Sequence, residues 1–61
     1  MTQQTLDRLK LFVEGHRHKS RVSELNCREG GYKSLAAQHG NEAVLAEMLL
    51  LDLSKEQPVD L

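Results

Sequence analysis

The chain has a single cysteine, Cys27, so no disulfide can close within it. A lone thiol fits a reducing compartment, and the cytoplasm is the expected location. The one proline, Pro58, stands near the end, so no proline interrupts a helix upstream of it. Tryptophan is absent, and Phe12 and Tyr32 are the only aromatic residues, which leaves Leu, Val and Ala to build a core. Long apolar runs are also missing. The longest stretch of large apolar residues, Met48–Leu51, is far short of the ~20 residues needed to span a bilayer. Met1–Lys10 is polar and charged with no apolar centre, so no secretory signal is expected there. Neither sign of charge dominates: the formal net charge is −1, which argues neither for nor against nucleic acid.

Sixty-one residues allow one domain, residues 1–61. A chain of this size buries only about 60% of its unfolded surface, so its stability is marginal without help. Small chains get that help from disulfides, a metal or association. Disulfides are excluded, and association is the expected support.

What the chain does have is a dense apolar stretch, Glu42–Leu53, holding Val44, Leu45, Ala46, Met48, Leu49, Leu50, Leu51 and Leu53. It also has a lopsided charge. Residues 1–33 carry a net of +3 and residues 34–61 a net of −4. Halves of opposite sign attract one another within a hairpin or across a dimer.

The periodicity predicts an all-α fold: an antiparallel helical hairpin with helices over about 5–27 and 34–55 and frayed tails at 1–4 and 57–61. Thr2 or Thr5 can cap the first helix, and Asp7 suits its positive end. Leu6, Leu9 and Val13 form one helical row, and Leu11, His18, Val22 and Leu25 a second. Gly15 leaves two readings, one long helix or two short ones, of which the single helix is preferred because no stronger breaker stands nearby. Gly30-Gly31 supplies the connection. Ser34 can cap the second helix, and Gly40-Asn41 marks a possible kink, with Asn41 able to cap a fresh start. Pro58 sets a limit beyond Lys55.

On a helical wheel, Leu45, Ala46, Leu49, Leu50 and Leu53 fall on one arc, which Leu35 and His39 extend. Val44, Met48 and Leu51 fall on another, and Glu47 and Asp52 divide the two. Two apolar rows ask for two neighbours: helix 1 on one row, and a second copy or a partner protein on the other. A homodimer, two hairpins forming a small bundle, follows as the expectation. Val44, Met48 and Leu51 are the candidate self-association or partner-binding residues.

The chemistry-bearing motifs are sparse. The stretch His16–Arg21 holds two histidines, but positions two apart on a helix point about 200° away from each other, so His16 and His18 cannot share an ion. No CxxC or HxxxH spacing occurs. Arg17, Lys19 and Arg21 could contact phosphates, although Glu14 and Glu24 flank them and no aromatic stands by for base stacking. A solvated face is the commoner fate of such a run. No phosphate loop and no nucleophile–base–acid spacing is legible, so no enzyme, cofactor or metal is expected.

Leu35-Ala36-Ala37-Gln38-His39-Gly40 resembles the first helix and turn of bacterial helix-turn-helix regulators. That resemblance implies a small DNA-binding regulator as the alternative function. It covers about a third of the chain and departs after the glycine, where Asn41 replaces the usual apolar residue. The helix that would read DNA, Glu42–Leu53, has acids and no Lys or Arg to meet base edges. Taken whole, the polar Met-Thr-Gln-Gln start followed by a short charged helix pair resembles the small accessory proteins of temperate lambdoid phages. This resemblance rests on size and style, with no diagnostic motif. It implies a host-directed or phage-regulatory protein that acts by binding and is made in the bacterial cytoplasm. A non-enzymatic regulatory or accessory protein acting through protein–protein interaction is the expected function.

Overall fold

The computed structural model of the chain describes residues 2–56. Two helices account for nearly all of them: α1 (Gln3–Glu29) and α2 (Lys33–Ser54), packed antiparallel as a hairpin. The all-α hairpin expected from the sequence is the fold. The expected tail at 57–61 lies outside the described residues.

The start of α1 corrects the expected boundary. Thr2 sits in extended geometry and its hydroxyl oxygen accepts the backbone N–H of Thr5 at 3.2 Å, so the helix begins at Gln3. Gln3 then donates to Asp7 at 2.8 Å, one turn on. Residues 2–4 are therefore a cap and a first turn. Gly15 does not break α1, which runs through it unbroken. No side chain lies close enough to make that glycine necessary.

The connection shows why two glycines stand together. Tyr32 N–H donates to Cys27 O at 2.8 Å and Gly31 N–H to Arg28 O at 3.2 Å. That pair of bonds is the Schellman arrangement, and it requires a left-handed residue, which Gly31 supplies at φ +84°. The chain reverses there and α2 starts at once. Tyr32 rather than Ser34 is its N-cap, and it offers no side-chain bond. The Ala36 N–H instead finds Tyr32 O at 2.9 Å.

α2 continues through Gly40-Asn41 as one helix. The residues that resemble a helix-turn-helix thus form no turn, and Asn41 caps nothing. Gly40 is buried because α1 passes over it: a Cβ there would stand 2.5 Å from Oε2 of Glu24.

The hairpin seam is built from small residues. On α2 the buried positions are Ala36, Gly40, Ala43 and Ala46. On α1 they are Leu6 and Ser20, with Val13 and Cys27 half-buried at the same seven-residue spacing. Side chains of this size let two helix axes approach closely, near the lower end of the usual 8–10 Å. Leu6, 2% exposed, is the one large apolar side chain fully buried among the described residues.

This seam corrects the wheel reading. α1 was expected to cover one of the two leucine-rich rows of α2. It meets the first row only at its edge: Ala46 is buried and His39, Leu50 and Leu53 are half-buried, while the centre of the seam is Ala36, Gly40 and Ala43. Leu45 and Leu49 remain exposed on one side, and Val44, Met48 and Leu51 on the other. The second α1 row fares the same way, since Leu11, Val22 and Leu25 all stand exposed.

Candidate functional site

The hairpin has two broad faces, and their chemistry differs. One is charged. Arg21 reaches across the seam, donating from Nη2 to Oε1 of Glu47 at 3.0 Å and from Nη1 to Oε1 of Glu24 at 3.0 Å. Arg28 donates to the other oxygen of Glu24 at 3.1 Å. The Glu24 side chain is only 13% exposed, and two arginines neutralise it. The hydrogen bond to Glu47, and then that to Glu24, raises the Arg21 pKa further above its already high ordinary value. Arg17 pairs more loosely with Glu14 at 3.5 Å, and its Nε is buried without a partner. The outer edge of this face on α2 carries Val44, Met48 and Leu51.

The opposite face is mixed in a graded way. Toward the turn, His16, Lys19, Ser20, Ser23, His39 and Glu42 line a shallow hollow. His39 Nδ1 lies 3.5 Å from Oε2 of Glu42. Farther from the turn, Val13 and His16 of α1 and Glu42, Leu45, Ala46 and Leu49 of α2 line a second hollow that shares His16 and Glu42 with the first. Phe12, 76% exposed, projects beside it along with Leu11, Gly15, His16 and Lys19. These are open grooves, and among the described residues no set of three His, Cys, Asp or Glu side chains converges on a point where a metal ion could bind. Cys27 is a half-buried free thiol on the seam.

The three basic residues singled out in the sequence do not form one patch. Arg17 and Arg21 lie on the charged face and are engaged with Glu14, Glu24 and Glu47. Lys19 lies on the opposite face, beside Glu42. Val44, Met48 and Leu51 do stand together on one side of α2 and are accessible.

The Leu45–Leu49 groove was read in the sequence as a surface that helix 1 would cover, so its availability was missed. The signal that could have revealed it is the spacing of small residues. Ser20 and Cys27 on α1, and Ala36 and Ala43 on α2, recur every seven residues and mark the true seam.

Among the described residues, no helix is long and apolar enough to cross a membrane. No protein-family model, curated protein or solved structure matches the chain.

Proposed function

We propose that this chain is a non-enzymatic helical interaction module that self-associates and acts by binding a protein partner. One observation carries the reading: twelve large apolar side chains on the hairpin stand more than a third exposed, against one fully buried. Monomeric proteins rarely leave so large a share of their big apolar side chains in water. A 61-residue chain with this little core gains its stability by covering that surface with another chain. A regulatory or accessory role in a bacterial cytoplasm, of the kind the lambdoid-phage resemblance implies, is the accompanying proposal. Val44, Met48 and Leu51, at the outer edge of the charged face, are the proposed contact for the protein partner.

The experiment has two arms. Sedimentation across a concentration series is expected to give a dimer mass at micromolar concentration. Affinity capture from a bacterial lysate is expected to retain a protein that a Met48→Asp variant, folded by circular dichroism, no longer retains. A chain that stays monomeric at the highest concentration, or a captured protein indifferent to Met48→Asp, overturns the corresponding half of the proposal.

A further inference from the structure

We infer that the graded face binds a second copy of this chain, with the two-fold axis along the hairpin's length and both turns at the same end. The inference rests on the self-association reading and adds which face pairs, in which direction and through which residues.

The surface area sets the scale. A compact 6.9 kDa monomer exposes about 4,000 Å². The accessible surface here is 4835 Å². The surplus, roughly 800 Å², is one partner's share of a standard protein–protein interface. A 50 × 14 × 10 Å rod removes such a surplus by lying side by side with another rod.

Charge selects the pairing of helices. Two hairpins stacked face to face have two symmetric choices. With the axis across the hairpin, α1 lies on the partner's α1, and the turns point opposite ways. With the axis along it, α1 lies on the partner's α2, and the turns coincide. α1 carries a net of +2, from six Lys/Arg and four Asp/Glu, and α2 a net of −2, from Lys33 against Glu42, Glu47 and Asp52. The first choice sets like charge on like charge, and the second sets opposite charges together.

The gradient along the face selects the same choice independently. In an antiparallel hairpin, residues equally far from the turn share a level. Lys19 and Glu42 line the hollow nearer the turn; Val13, Leu45 and Leu49 line the one farther away, with Glu42 at its turn-side edge, and Phe12 stands beyond it with Lys19 at its margin. When the turns coincide, each level meets itself. Lys19 then faces Glu42 of the partner subunit, while Phe12 and Val13 face Leu45 and Leu49 of the partner subunit. When the turns are opposed, the charged level of one copy falls on the apolar level of the other. That places Lys19 against apolar side chains and leaves its charge unpaired.

The experiment uses the full chain with Cys27→Ser and a spin label on Ser34→Cys, an exposed site at the start of α2. Each chain carries one label, so any dipolar distance is between copies. Coincident turns give a single distance near 20–25 Å, about two helix diameters. A distance near 40 Å, the rise of roughly 26 residues, means opposed turns; it overturns the inference and leaves self-association standing. No dipolar coupling at a concentration well above micromolar overturns both. A second arm tests the residues. Lys19→Glu and Glu42→Lys each weaken self-association several-fold. Mixing the two variants restores it, because both cross-subunit contacts in the mixed dimer then join opposite charges. A mixture no tighter than its components overturns the pairing of Lys19 with Glu42.

Discussion

Glu24 of α1 lies directly over the backbone of Gly40 of α2, and a Cβ at Gly40 would stand 2.5 Å from the Glu24 carboxylate. At this point of the seam the bare backbone of a glycine makes room for a carboxylate that two arginines hold in place. Gly15, at a comparable mid-helix position on α1, has no side chain within 4 Å of where its Cβ would be. The two glycines separate cleanly in experiment. Gly15→Ala is expected to stabilise the protein by about 0.5–1 kcal/mol, the helix-propensity difference alone. Gly40→Ala gains the same propensity but displaces Glu24 from Arg21 and Arg28, and is expected to fall short of that gain. Thermal or urea melts of the two variants measure the difference. Equal gains would mean that Glu24 moves aside freely.

Ala43 is 0% exposed at the centre of the seam. Ala43→Leu inserts three carbons where the helices touch and is expected to cost about 1–3 kcal/mol or to splay the hairpin. Leu45→Ala, on an exposed neighbour, leaves the seam intact. Circular dichroism melts of both separate seam packing from surface effects, and a harmless Ala43→Leu would place the seam elsewhere.

Gly31 holds φ +84° and closes the C-terminal cap of α1. Gly31→Ala forces an L side chain into the left-handed region, at about 1–2 kcal/mol. Gly30, with φ −79°, is right-handed and escapes that backbone penalty, although a Cβ there would press on the Tyr32 ring at 3.0 Å. Urea denaturation is expected to show the Gly31 loss directly.

Arg21 and Glu47 form the one ion pair between α1 and α2 among the described residues. Both side chains are about two-fifths exposed, so solvent and salt screen the attraction. A double-mutant cycle with Arg21→Ala and Glu47→Ala is expected to give a small favourable coupling that shrinks as sodium chloride rises. A coupling that survives molar salt would indicate a drier site than this geometry provides.

The helices were legible because their signals are local. The three- and four-residue spacing of Leu6, Leu9 and Val13, the glycine pair at 30–31 and the run from Glu42 to Leu53 suffice to place two helices and a turn. The boundaries were less legible. Thr2 and Thr5 are both capable caps, and only the bond from Thr5 N–H to the Thr2 side chain decides for the earlier start. Gly40 was misleading for a different reason. Glycine weakens a helix by roughly 1 kcal/mol, but here it is buried beneath the Glu24 side chain, and α2 runs through it.

The sequence by itself determined that this chain is two helices joined at Gly30-Gly31, and too short to hold a substantial core. Only the tertiary structure decided which side of α2 meets α1. A wheel ranks faces by hydrophobicity, whereas two helices joined by a three-residue turn pack by fit. Ala36, Gly40, Ala43 and Ala46 allow a closer approach than Leu45, Leu49 or Met48. The small residues of α2 therefore take the seam, and Val44, Leu45, Met48, Leu49 and Leu51 are left outside, where another chain can reach them.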